Sequence, residues 1–212
     1  MRSVFALGLI ACMMLTGCQS MKYSALEAVG VEKREVLSGR VDKAADAQDE
    51  AREQFASALE QFRATVEVDG GDLEATYDRL NREFERSQAR AEEVVERVDA
   101  VEHVAEALFD EWADELELYS DPDLKRRSER ILDETRDRYE QMMVAMRRAE
   151  STMDPVLQVF QDQVLFLKHN LNSLAIAAIR DEMAEIEQAT GELMTAMNEA
   201  ISEARSFIET LE

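Results

Sequence analysis

Ten carboxylates crowd the stretch between Val98 and Leu124, namely Asp99, Glu102, Glu106, Asp110, Glu111, Asp114, Glu115, Glu117, Asp121 and Asp123, with no Lys or Arg among them. Clustered carboxylate oxygens are what a hard divalent cation such as Ca²⁺ requires. Asp110, Glu111, Asp114 and Glu115 are therefore a candidate cation-binding set, although the stretch lacks an EF-hand-like loop. Intramolecular pairing is the plainer reading. Like charges at i,i+4, such as Asp110 with Asp114 and Glu111 with Glu115, oppose a helix by about 0.2–0.5 kcal/mol each, so something must offset them. A fold-back near position 120 sets the stretch beside Lys125, Arg126, Arg127, Arg130, Arg136 and Arg138; another near position 70 brings up Lys33, Arg34 and Arg40.

Other chemistry finds little to work with. A di-iron bundle needs Glu-x-x-His on two helices, but Ala100 stands three residues before His103 and Phe166 three before His169. The fold derived below separates the two histidines by roughly 45 Å of helix rise, so they cannot share a metal. No metal site or cofactor is expected. HExxH, GxSxG, SxxK and P-loop patterns do not occur, and the chain reads as non-enzymatic. Met142, Met143 and Met146 form a soft cluster that fits a core, as do Tyr77, Tyr139 and Trp112. From Val156 to Ile179 only Asp162 and Lys168 are charged, while Gln158, Gln161, Gln163, Asn170 and Asn172 exclude membrane spanning. That segment suits either a thick core stripe or a partner-binding face.

Composition narrows the class. A net charge of -22 over 212 residues argues against a nucleic-acid partner. With only 7 Gly, 2 Pro and 2 Cys, neither a strand-and-turn architecture nor a disulfide scaffold fits. An all-α fold remains, and 46% hydrophobic residues suffice for one buried stripe per helix.

The N-terminus reads as a processing signal: Arg2, an apolar run from Val4 to Leu15, then Leu15, Thr16, Gly17 and Cys18. That ending resembles the lipobox of bacterial lipoproteins. The resemblance implies acylation of Cys18 after cleavage behind Gly17, and Gln19 in place of Asp implies the outer membrane, facing the periplasm. The expected organisation is a signal peptide over 1–17, a tether over 18–31 and one helical domain over 32–212. Cys12 leaves with the signal, so the mature chain has no free thiol and thiol catalysis is excluded.

The elements follow from periodicity. Val41, Ala44, Gln48, Ala51, Phe55, Ala58, Phe62 and Val66 step by threes and fours. Asp69, Gly70, Gly71 and Asp72 end that helix, and Asp72 can cap the next. Leu73, Tyr77, Leu80, Phe84, Ser87, Ala91, Val94, Val98, Val101, Ala105, Leu108 and Trp112 repeat every seven residues. Ser120 or Asp121 before Pro122 reads as a cap with Pro in the first turn. A third stripe runs through Leu124, Ile131, Thr135, Tyr139, Met142, Met146, Ala149 and Met153 and on past Pro155 to Leu167, with a kink expected at Pro155. Asn170 and Asn172, which tolerate the left-handed region, and Ser173 as a cap make a turn; Leu174, Ile179, Met183, Ile186, Leu193 and Met197 open the last stripe. Breaks near 70, 121 and 171 leave rods of roughly 70 Å. They predict an antiparallel up-down bundle of four long, coiled-coil-like helices, with three helices plus an extension as the alternative. The same seams can close within one chain or between copies, so a homo-oligomer stays open.

The segments FASALEQFRATVEVDGGDLEATYDRLN, AEALFDEWADELELYSD and DQVLFLKHNLNSLAIAAI, together with the lipobox, resemble a family of proteobacterial lipoproteins catalogued as domain of unknown function 2959. The similarity is clearest from Tyr23 to Ala178. It implies a helical, coiled-coil-like envelope protein and brings no catalytic residues.

The expected function is that of a membrane-anchored structural or adaptor protein for another envelope component. In the four-helix arrangement Asp69, Gly70, Gly71 and Asp72 meet His169, Asn170 and Asn172 at the end far from the anchor. That tip is the candidate partner-binding site.

Overall fold

The computed structural model describes residues 33–67 and 72–211. Four α-helices make up this part of the chain: α1 (Lys33–Glu67), α2 (Leu73–Leu116), α3 (Pro122–His169) and α4 (Ser173–Leu211). Each packs on its sequence neighbours, and α1 also packs on α4, closing an antiparallel ring with α1 and α3 on one diagonal. At ~1.5 Å per residue the 48 residues of α3 span about 72 Å and the 35 of α1 about 52 Å. We call the end at Lys33, the α2–α3 turn and Leu211 proximal; the α3–α4 turn and Asp72 lie at the distal end.

Helix boundaries come from local chemistry. Asp72 Oδ1 accepts from the backbone N–H groups of Glu74 and Ala75, both at 3.1 Å. Asp121 Oδ1 does the same for Asp123 and Leu124 at 2.8 and 3.2 Å, with Pro122 in the first turn where a missing N–H costs nothing. The turn at 170–172 exists but is built differently from the expectation. Asn170 has φ -132°, outside the left-handed region, and its side chain donates to the Phe166 carbonyl at 2.9 Å. At the start of α4 the Asn172 side chain accepts from the Leu174 N–H at 2.9 Å. Helix α3 runs through Pro155, which lies on the exposed face where water can serve the carbonyl that proline leaves without a donor.

The core follows the seams. Val41, Ala44, Ala51, Phe55, Ala58 and Phe62 of α1 are buried with Val94, Val98, Val101 and Ala105 of α2, Met142, Met146 and Phe160 of α3, and Ile186, Leu193 and Met197 of α4. Across the diagonal, Phe62 stacks on Phe160 with centroids 4.9 Å apart, and Phe55 lies 6.1 Å from the same ring. Burying one such ring contributes roughly 2–3 kcal/mol. Two expected stripe positions of α3 are corrected: Leu124 and Ile131 are 50% and 52% exposed, while Ser128 and Leu132 turn inward. The first turns of α3 extend past α1 and α4, so α2 alone sets the inward direction, and Trp112 Nε1 donates to Ser128 Oγ there at 2.9 Å. Leu174 is likewise outside the final stripe, 73% exposed, because Ala175, Ile176 and Ile179 take the inward positions.

Candidate functional site

The distal end gathers an unusual surface for so acidic a chain. Residues 163–180 contain no Asp or Glu, and their charged groups are Lys168, Arg180 and, when protonated, His169. Val164, Leu167, Ala175, Ile176 and Ile179 of this stretch are buried, while Leu165, Phe166, Leu171 and Leu174 are exposed at 44%, 42%, 48% and 73%. The segment is thus both a core stripe and an outward apolar face. The signal was present in the run Leu165, Phe166, Leu167, since three consecutive apolar residues on a helix cannot all face one stripe. Short bonds hold the turn: the Asn172 N–H donates to the Asn170 carbonyl at 2.7 Å, and Ala175 N–H to the Asn172 carbonyl at 3.1 Å. Arg180 Nη2 donates to the Val66 carbonyl at 2.7 Å, tying the end of α1 to this hairpin.

Of the residues expected at the tip, Asp72, His169, Asn170 and Asn172 do share the distal end, with Asn170 half-buried and the others exposed. Asp72 is engaged as a helix cap and Asn170 and Asn172 as turn builders, which leaves His169 and the apolar side chains as its free chemistry. Asp69, Gly70 and Gly71 lie outside the described residues, as do Cys18 and the expected signal peptide and tether.

The acidic run sits in the proximal half of α2, and its charges are partly offset. Lys33 Nζ lies 3.0 Å from Glu111 Oε2. Lys125 Nζ lies 2.8 Å from Glu117 Oε1, a bond that raises the lysine pKa above its usual range. Arg126 pairs with Asp123. The strongest partner was not anticipated: Arg147 contacts Asp99, Glu102 and Glu150 together. Burial pushes its guanidinium pKa down, but the hydrogen bonds to Asp99, Glu150 and Glu102 outweigh that and hold it above the ordinary value. Reflection about position 120 would pair Asp99 with position 141. Side chains lean toward the N-terminus of their own helix, so a long residue farther along α3 reaches back to it. Arg136 caps the Phe109 carbonyl at 3.2 Å and lies over that ring, and Arg34 lies 5.4 Å from the Trp112 ring centroid.

Asp110, Asp114 and Glu115 are exposed, and Glu111 is committed to Lys33. Among the described residues, no group of three or more His, Cys, Asp or Glu side chains is arranged to hold a metal ion. His103 is exposed, its Nδ1 2.8 Å from the Asp99 carbonyl. Counting along α3 from Arg147, which faces Asp99, puts His169 about 40 Å of helix rise from His103. No described helix is long and apolar enough to cross a membrane. Between α2 and α3, just distal of the Arg147 cluster, an open groove of about 650 Å³ has Phe84, Ala91, Val95, Met153 and Leu157 in its walls. The α2–α3 side-chain hydrogen bonds described above all lie proximal to it.

One family model, described as protein of unknown function (DUF2959), matches residues 22–211. No curated protein shows significant similarity to the chain.

Proposed function

From a chain that belongs to the DUF2959 family, whose description assigns no activity, we propose a non-enzymatic envelope lipoprotein, anchored in the outer membrane through acylated Cys18. It acts as a structural or adaptor element that offers its distal tip to another envelope protein. The observation that carries this reading is the acid-free hairpin at 163–180, which exposes Leu165, Phe166, Leu171 and Leu174 at one end of a strongly acidic rod. An apolar surface in that position resembles a partner contact more than an ordinary solvated loop. The lipobox-like Leu15, Thr16, Gly17, Cys18 supports the anchor, and the start of α1 at the opposite end supports a tip that points away from it.

Photo-crosslinking in living cells tests the reading. A photoreactive residue at Leu171 should give one discrete adduct that disappears when Phe166→Ser and Leu174→Ser are added in a variant of unchanged helicity. The same residue at Gln141, on the lateral surface, should give none. Adducts of equal yield along the whole rod would refute a tip-directed adaptor.

A further inference from the structure

Resting on the lipid-anchored reading above, we propose that the α2–α3 turn is a foot that seats on a zwitterionic lipid surface. Leu118 and Leu124 enter the boundary between headgroups and acyl chains, and Tyr119 sits at headgroup level. These side chains are 81%, 50% and 43% exposed. Exposure alone would not single them out, but their position does.

The Lys33–Glu111 pair places the start of α1 level with Glu111, and the Arg34–Trp112 contact agrees. Leu118 is seven residues beyond Glu111, so the turn projects roughly 10 Å past the point where α1 begins. On the other side Phe207 and Phe109 both meet the Tyr139 ring, at 6.1 and 5.3 Å. Leu211 is then about 6 Å beyond that level and Leu118 about 13 Å. The turn overhangs both neighbouring helices and is the outermost described feature of the proximal end.

Chain length selects the membrane as occupant. Fifteen residue steps separate Cys18 from Lys33 and reach at most about 50 Å when fully extended. Helix α1 alone is about 52 Å long. The distal end could meet the bilayer only with the tether drawn taut along the whole rod, whereas the foot meets it with slack. Tyr has an apolar body and a polar tip, which suits the headgroup layer. Around the turn Asp114, Glu115, Glu117, Asp121 and Asp123 outnumber Lys125, Arg126 and Arg127, with Lys125 bound to Glu117 and Arg126 to Asp123. That acidic excess is repelled by anionic headgroups and leaves zwitterionic ones as the surface the foot can meet.

Acylation of Cys18 leaves the mature protein without a free thiol, so Leu118→Cys provides a single attachment point for an environment-sensitive fluorophore. The full acylated protein is placed in phosphatidylcholine vesicles carrying nitroxide-labelled lipid, with Leu174→Cys as the distal comparison. Emission from position 118 should shift to the blue and be quenched several-fold more strongly than from position 174. Equal quenching at the two positions, with the acyl mass present on Cys18, overturns the foot. If Cys18 carries no acyl mass, the anchor reading fails. A chain that begins with a histidine tag in place of Cys18, labelled at position 118 alone and held on nickel-chelating lipid, still decides the foot: quenching at 118 supports it and none refutes it.

Discussion

Arg147 Nη2 on α3 donates to Asp99 Oδ1 on α2 at 2.8 Å, across 48 residues of sequence. The same guanidinium reaches Glu102 and Glu150, so one cation holds three carboxylates and joins the acidic helix to its neighbour. Arg147 is 36% exposed, which screens each pair, and networks of this kind outperform isolated surface pairs. Arg147→Met should lower stability by about 1 kcal/mol. Urea unfolding should show a lower midpoint with an unchanged slope, and the difference from the native chain should shrink as salt is raised.

Gln48 interrupts the seam of α1 at full burial, and neither its amide nitrogen nor its oxygen has a hydrogen-bond partner among the described residues. Burying an amide without partners costs about 1–3 kcal/mol on mutational scales. Gln48→Leu is therefore expected to stabilise the bundle by about 1–2 kcal/mol. A thermal midpoint raised by several degrees would bear this out, and a lowered one would show that the amide is satisfied after all.

The distal half of the core depends on one ring. Phe160 touches both Phe55 and Phe62 across the diagonal and is fully buried. Truncation to Ala removes these contacts and leaves a cavity that rigid helices close only in part, at a cost of about 3–5 kcal/mol; Phe160→Leu should cost clearly less. Denaturant unfolding of the two variants measures the gap, and equal losses would refute the ring-specific contribution.

Alkaline pH should act on Tyr139. Burial, followed by the charges of Glu102 and Glu106, pushes its hydroxyl up to about 12 from a usual value of 10. The folded chain thus holds this proton more tightly than the unfolded one. The stabilisation it represents, of order 2 kcal/mol, is fully present below pH 10 and is lost as pH rises toward 12. Tyr139→Phe cannot ionise, so its stability relative to the native chain should rise between pH 10 and 12. A constant difference across that window would contradict the assignment.

At acid pH the matching group is Glu93. Hydrogen bonds from Arg90 and Arg97 lower its pKa below the ordinary carboxylate value of 4.5. Its contribution is present above that value and is lost as pH falls through the depressed one. Glu93→Gln should match the native chain near pH 3 more closely than at pH 7, as read from unfolding midpoints at the two pH values.

Periodicity, caps and breaks were set locally. Steps of three and four bury one line of a helix wherever neighbours exist, so the stripe of α2 from Leu73 to Trp112 was readable residue by residue. Asp72, Asp121 and Pro122 marked helix starts because a cap needs only the next two or three residues. The number of rods and their antiparallel order followed from their similar lengths. What the tertiary structure decided is where the neighbours stop. Leu124 and Ile131 kept a seven-residue spacing yet face outward, because no helix covers that side at the proximal end, and Leu174 lies off the inward line that Ala175, Ile176 and Ile179 occupy. The choice of Arg147 over the nearer Arg136 or Arg138 for Asp99 likewise depended on how side chains lean across an antiparallel pair. Local patterns encode a helix and its greasy face, whereas exposure at the two ends is a property of the assembled set of four.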